Sequence, residues 1–584
     1  MKKFILVCLM TLVCGCEGLS FSSIKNNFNS NSSTSSNIVE SSDKNNPSSS
    51  TTSASNSTSS NIVQSSTSSS TSSSSNVITS SSSSSNVITS SSNSSNVITS
   101  TSSSSVKPSI SSSSKVEEDN EPKVIDIYAT NDFHGRISSG SNYVPGISKM
   151  STYLKNQKAL NSDGFVYINS GDYWQDTYES GYNKGKLLTE CLDIMECEVL
   201  TLGNHEFDWG IDVIRENKQY VSYTKFLGAN IREYPDTSKQ VDFAEPYKII
   251  QRDGLNIGII GAIGKDQITS ITSSNWENIT FLEHAPIVKE LSDELRTEKD
   301  CDIVILSIHA DESVSAGSEI TKVSPVSNKK YVDAVFCAHS HQREVTYYNE
   351  VPFVQAGAHG QNLAHVKIEY HQGEVEVLSA NYEGYKTISN SANDPEIEDI
   401  INNYFTSQFF NDKDKVHGTV TGSGSLDNTY GGNLLAKATY EKLQEAGVNV
   451  DIVINNGVRD SVSVGAMTSE KIFNMIPFTN KTIVAKQIKG KDIINECVNY
   501  TNPYYMPNPD LKINSNSYYT VACIDYVLLH KSANRNYNYF PSFDPKNIVY
   551  TIEDYCNVIV EQHLQKHGTV AKSDYSGTNY SCLN

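Results

Sequence analysis

The chain has no run of apolar residues long enough to cross a bilayer. The stretch Phe4–Val13 falls well short of the roughly 20 residues that a spanning helix needs. Positive charge is also in deficit: 46 Lys and Arg stand against 66 Asp and Glu, a net charge of −20. That balance argues against nucleic-acid polymers or anionic membrane surfaces as partners, because either calls for a basic face. A small anionic substrate is not excluded, since metal ions can meet its charge locally. Cysteine lacks pattern. Cys8, Cys14 and Cys16 fall in the first segment, and the other eight (Cys191, Cys197, Cys301, Cys337, Cys497, Cys523, Cys556, Cys582) show no CxxC or metal-finger spacing. Cys301 and Cys337 sit in apolar, strand-like runs and read as small core residues. From about Ser20 to Ser114 there is almost nothing to bury. The tract is Ser, Asn and Thr, with Ser-Ser-Asn-Val-Ile-Thr-Ser recurring around Val77, Val87 and Val97. Its composition predicts a flexible spacer.

What the chain does contain begins with Lys2 and Lys3 ahead of Phe4–Val13, the layout of a secretory signal. The segment ends Val-Cys-Gly-Cys-Glu, which resembles a bacterial lipobox with Cys16 as the lipidated residue. That implies export to the cell surface, with lipid as the only membrane anchor. Beyond a joint at Lys115–Lys123 the pattern changes. Short apolar runs such as Val124–Ala129, Phe165–Asn169, Glu198–Leu202, Ile303–Ile308 and Ala334–Ala338 are separated by helix-like stretches, including Ile147–Lys155 and Ala285–Lys299. Buried strands alternating with helical connectors predict an α/β layered domain. Arg252-Asp253-Gly254-Leu255 is a hairpin signal, so part of the sheet is antiparallel. An acidic amphipathic stretch over Asp394–Phe410 reads as one connecting helix, followed by a second unit with a helix at Asn433–Ala446. The expected segments are a signal at 1–16, a linker at 17–119, a first domain at 120–385, a connector at 386–412 and a second domain at 413–584.

Five polar clusters each follow a predicted strand: Asn131-Asp132-Phe133-His134-Gly135, Ser170-Gly171-Asp172, Gly203-Asn204-His205-Glu206, Ser307-Ile308-His309 and Ala338-His339-Ser340-His341. Open α/β sheets bind ligands at that edge. Singly, each reads as a hydrogen-bonding turn or a satisfied core histidine. Together they supply the carboxylates and imidazoles that two neighbouring Mn, Fe, Zn or Co ions need, without thiolate. The one-residue gaps in Asp132-x-His134 and His339-x-His341 put both side chains on one side of an extended segment.

In this order the clusters resemble the calcineurin-like metallophosphoesterases. Gly203-Asn204-His205-Glu206-Phe207-Asp208-Trp209-Gly210 narrows the resemblance to the bacterial 5′-nucleotidase/UDP-sugar hydrolase family. The resemblance implies a four-layer α/β/β/α sandwich with a second, α+β C-terminal domain. It further implies one divalent ion on Asp132, His134, Asp172 and His341, and another on Asp172, Asn204, His309 and His339. A hydroxide between the ions would attack phosphorus, with His205 facing the substrate and Asp208 orienting His205.

Gly432-Asn433-Leu434-Leu435-Ala436, Asn455-Asn456-Gly457-Val458-Arg459-Asp460 and Ile476-Pro477-Phe478-Thr479-Asn480 resemble the family's C-terminal domain. They imply substrate contacts from Arg459, on phosphate, and Asn433. The usual Gly-Gly-Asp-Gly loop is absent, replaced by Asp525-Tyr526-Val527-Leu528. Tyr526 is the candidate for one stacking face, with Tyr504 or Tyr505 for the other. The expected partner is a small phosphorylated substrate, a nucleotide first. The alternatives are a broad-range phosphatase on cyclic nucleotides or sugar phosphates, and a surface-binding lipoprotein without turnover.

Overall fold

In the first strand, Lys123–Thr130 (β1), Ile125, Ile127 and Ala129 join one core while Tyr128 joins another, as the two-residue repeat of a strand requires. Phe165–Asn169 (β2) divides likewise: Val166 and Ile168 go inward, Phe165 and Tyr167 outward. This computed structural model describes residues 121–140, 143–311 and 319–577; the N-terminal segment with Cys16, the Ser-rich tract and Cys582 lie outside them.

The strands that follow are β3 (Val199–Thr201), β4 (Lys225–Leu227), β5 (Ile231–Glu233), β6 (Tyr247–Arg252), β7 (Leu255–Ile263), β8 (Ile279–Phe281), β9 (Ile303–His309), β10 (Ala334–Phe336), β11 (Arg343–Tyr348), β12 (Val351–Ala356), β13 (Asn362–His371) and β14 (Glu374–Gly384). Twelve of these fourteen strands form two six-stranded sheets, ordered β14-β13-β1-β2-β3-β4 and β11-β12-β10-β9-β7-β6, and β5 pairs with β8 in a ribbon of its own. The interiors are parallel, β1 to β4 in one and β7, β9, β10 and β12 in the other. Antiparallel strands finish three of the four edges, including the β6–β7 hairpin that Asp253 and Gly254 turn, while β4 closes the first sheet in parallel. Ile125, Ile127, Val166 and Ile168 of the first sheet share a core with Ile257, Ile259, Ile303 and Ile305 of the second. Each such side chain contributes about 1.5–3 kcal/mol when fully buried. Helices cover the outer faces: Ile147–Leu160 and Lys186–Ile194 through Met150 and Leu188, and His284–Thr297 through Val288 and Leu295. The order of layers is α/β/β/α, as the resemblance implies.

The connector differs from the single predicted helix. It is two, Pro395–Tyr404 and Ser407–Lys413. Asp394 caps the first, and Thr406 restarts the second by accepting a hydrogen bond from Phe409 N, while Phe405 stacks on Phe409 at 4.2 Å. A threonine cap competes with helix continuation. The second lobe has strands β15 (Val416–Leu426), β16 (Ile452–Ile454), β17 (Val462–Thr468), β18 (Thr482–Lys489), β19 (Tyr504–Tyr505), β20 (Tyr518–Ile524), β21 (Ile548–Ile552) and β22 (Thr569–Ala571). They form sheets ordered β17-β15-β22 and β19-β16-β20-β18-β21, with helices Asn428–Glu445 and Cys556–His567 packed together. The seven described cysteines are buried and form no disulfide with one another, Cys301 and Cys337 in the core as expected.

The lobes meet through specific contacts. Gln175 Nε2 donates to the Pro477 carbonyl at 3.2 Å and Tyr178 N to Asn474 Oδ1 at 2.9 Å. The Arg535 guanidinium lies over the rings of Tyr234 and Trp276 at 3.5 and 4.8 Å.

Candidate metal centre and active site

All five clusters lie at the C-terminal ends of β1, β2, β3, β9 and β10. The backbone there is not extended. Asp132, His134, Asp172, His339 and His341 have φ of 48°, 50°, 53°, 77° and 55°, a left-handed conformation that few non-glycine residues adopt and that concentrates at functional sites. This corrects the expectation of alternate side chains on a straight segment. The strands stop at Thr130 and Phe336, and the left-handed turns that follow aim both members of each pair inward. Close approach of the loops explains their glycines. A Cβ on Gly203 would sit 2.3 Å from Asp172 Oδ1, and one on Gly171 would sit 2.8 Å from His309 Nδ1.

The side chains converge in groups. His134 Nε2 and His341 Nε2 are 3.0 Å apart, and both face Asp132 Oδ1, at 4.0 and 3.3 Å. Asp132 also accepts from His339 N at 2.9 Å. Asn204 Oδ1 lies 3.2 Å from His309 Nε2 and 3.1 Å from His339 Nδ1, while His309 Nε2 is 3.0 Å from Asp172 Oδ2. Asp172 thus belongs to two sets of potential metal ligands, one with His309 and His339 and one with His134 and His205. These are buried nitrogen and oxygen donors aimed at common points, a set that suits borderline divalent cations. His309 Nδ1 donates to the Ser170 carbonyl at 3.0 Å, which leaves Nε2 as the coordinating atom. Glu206 binds the loops to one another, accepting from Asp172 N, Tyr173 N and Gly203 N at 2.7–2.9 Å.

Burial alone would raise the carboxyl of Asp132, but His341 and His309 together hold the group below its ordinary range. Burial likewise opposes ionisation of Asp172, and His309 with His205 reverses the sign. His205 donates from Nδ1 to Asp208 Oδ2 at 2.6 Å. Burial would lower its pKa, but Asp208 and Asp172 push it up to about 10.

Between the lobes lies a cavity of about 360 Å³. One wall carries Asp172, Asn204, His205, Asp208, His339 and His341; the other carries Asn428, Asn456, Arg459, Phe478, Asn480 and Tyr526. Two family models match in the same order, calcineurin-like phosphoesterase over residues 125–343 and 5′-nucleotidase, C-terminal domain, over 416–502. The chain belongs to the calcineurin-like phosphoesterases that carry a 5′-nucleotidase C-terminal domain. The class is that of metal-dependent phosphoric ester hydrolases. Among its relatives, Protein UshA of Yersinia enterocolitica is 20% identical over 530 residues, 77% of this chain and 92% of that protein. Endonuclease YhcR of Bacillus subtilis is 24% identical over 427 residues, covering 67% of this chain, which spans about 34% of that relative's length. The 5′-nucleotidase precursor from Thermus thermophilus shares the fold with a TM-score of 0.62 at 16% identity, over 77% of this chain and 97% of its own.

In this phosphoesterase the C-terminal candidates part company. Arg459 and Tyr526 line the cavity. Asn433 does not: it is buried, with Nδ2 donating to the Tyr575 carbonyl at 2.9 Å. Asn428 occupies the cavity wall instead, and five residues along a helix rotate a side chain by about 140°. Tyr504 is buried in the core and Tyr505 packs on Tyr440 at 5.1 Å, so neither forms the second aromatic wall. Phe478 lines the cavity with Tyr526, its ring 6.1 Å from that of His205 and the planes 17° apart. Its signal was Ile476-Pro477-Phe478-Thr479-Asn480, read for resemblance alone. Asp176 was also missed. Its Oδ2 accepts from Arg459 Nε and Nη2 at 3.0 and 2.7 Å and lies 3.2 Å from His134 Nδ1. Nothing in Gln175-Asp176-Thr177 marks it in the sequence.

Proposed function

We propose that the protein is an exported, two-metal phosphoesterase acting on 5′-nucleotides. The observation that carries this reading is the cavity itself, with ligand-type side chains and His205 on one wall and Arg459, Phe478 and Tyr526 on the other. One ion would be held by Asp132, His134, Asp172 and His341, the other by Asp172, Asn204, His309 and His339. When bound, such ions lower the pKa of water and neutralise phosphoryl charge. His205 would hydrogen-bond the phosphoryl oxygens, with Asp208 fixing its ring and supporting the imidazolium. Arg459 would bind phosphate through its planar guanidinium. Phe478 and Tyr526 offer two faces for a nucleobase, each worth about 1–3 kcal/mol. The N-terminal sequence supports export, with Cys16 as the lipid anchor and 17–119 as the spacer.

The test is turnover by purified protein, with added divalent metal, on 5′-nucleotides, cyclic nucleotides, sugar phosphates and single-stranded DNA. Preference for a 5′-nucleotide supports the reading. Equal turnover of sugar phosphates would make it a broad-range phosphatase, and preference for DNA would overturn the substrate class.

A further inference from the structure

Far from the ligand clusters of the first lobe, the second lobe brings together another group of metal-binding side chains. His563 and His567 are four residues apart on helix Cys556–His567, so they share a face. Glu441, on the packed helix Asn428–Glu445, turns one carboxylate oxygen to both: Oε2 is 3.1 Å from His563 Nδ1 and 2.7 Å from His567 Nε2. The three donor atoms all lie within 4.8 Å of one another.

We infer that Glu441, His563 and His567 form a further divalent-metal site, of the zinc class, between these two helices. Zn–N and Zn–O bonds of about 2.0–2.1 Å at tetrahedral angles place neighbouring ligand atoms roughly 3.3 Å apart. The spacings of Glu441 Oε2 to His563 Nδ1 and to His567 Nε2, 3.1 and 2.7 Å, need expansion by about 0.2 and 0.6 Å to reach that value. His563 is also held from behind, its Nε2 lying 2.9 Å from the Tyr575 hydroxyl. With Nε2–H donating to that hydroxyl, Nδ1 carries the lone pair toward the site, the arrangement that orients ligand histidines. Burial holds the His563 pKa down against the pull of Glu441, which favours the neutral form that binds metal. His567 lies in the last turn of its helix, where exposed carbonyls favour a cation. Lys566 is the nearest competing cation, 3.8 Å from Glu441 Oε2, but it has its own partner in Glu445 Oε1 at 2.7 Å. Three protein ligands leave one position for water. The ion would cross-link the two helices, and the first of them delivers Asn428 and Thr429 to the cavity at its other end.

The experiment is equilibrium dialysis of the chelator-stripped full-length chain against Zn²⁺ at fixed free concentration, followed by metal counting. Wild type should hold one more zinc per chain than His567→Ala or Glu441→Gln. His567 is partly exposed and Glu441→Gln keeps its shape, so both should fold. Zinc should also raise the Tm of wild type more than that of either variant. If all three proteins hold the same number of zinc ions and show the same shift, the assignment is overturned.

Discussion

The two lobes confront the same cavity with different kinds of construction. On the first lobe's wall the side chains sit on turns at the ends of parallel strands, and Glu206 knits two of those turns together through three backbone amides. On the opposite wall the groups come from separate elements: a helix start at Asn428, the loop holding Arg459, the Pro477–Asn480 turn and the short helix Asp525–Leu528. Chemistry that needs donor atoms fixed to fractions of an ångström is placed on a rigid sheet edge. Recognition of a flat base or a phosphate tolerates a wall assembled from loops, and loops can be exchanged without disturbing the sheet.

That contrast can be broken at several points. The largest effect should follow loss of metal: chelation should abolish hydrolysis, and Asp172→Asn should lower kcat by at least about 10³-fold, since its carboxylate serves both ligand sets. Strong activity after exhaustive chelation would sink the metal assignment. Next, His205→Ala should reduce kcat by about 10²–10³-fold while bound metal, counted by elemental analysis, stays at the wild-type level. Loss of metal in that variant would move His205 from substrate to ion. On the other wall the parameter that moves should be KM. Phe478→Ala or Tyr526→Ala should raise KM for a nucleotide by about 5- to 150-fold, the equivalent of one stacking contact, and leave kcat on a small aryl phosphate nearly unchanged. An equal fall on both substrates would show that the second lobe shapes the chemistry as well. The smallest effect concerns Glu496, buried in the second lobe. Burial raises its pKa to about 8 from the ordinary 4.5, against hydrogen bonds from Asn495 and Asn502. The folded state therefore favours the neutral acid. This contribution is fully present below the unfolded pKa and is lost as pH rises toward 8. Melting curves across that window should slope downward in wild type and be flatter in Glu496→Gln.

Legibility in the sequence followed the same division. The strand runs and the five clusters were readable because a parallel strand buried on both faces is a continuous apolar word, and its ligand follows directly. Ile303–Ile308 followed by His309 is the plainest case. Asp176 was invisible because its partners, Arg459 and His134, are brought to it by tertiary packing from 283 residues downstream and from a neighbouring loop. Asn433 was misplaced because a motif fixes a position along a helix but not the face that meets the cavity. Phe478 stood in plain view beside His205's wall, yet no period or spacing distinguishes an aromatic that lines a cavity from one that fills a core. The break at Phe405–Thr406 shows the same limit locally, since a cap and a helix interior are both open to threonine.

The left-handed backbone at Asp132, His134, Asp172, His339 and His341 also decides which substitutions can be interpreted. At φ near 50° a new side chain meets two demands at once, one from the reaction and one from its own Cβ. Asparagine tolerates that region better than most residues, so Asp132→Asn and Asp172→Asn alter charge and leave the loop as it was. Valine or isoleucine at the same positions would distort the turn, and a dead enzyme would then report backbone strain as readily as a missing ligand. Tolerance at these sites should be narrow in a recognisable way: asparagine and glycine should leave folded, inactive protein, and β-branched residues should leave little folded protein to assay.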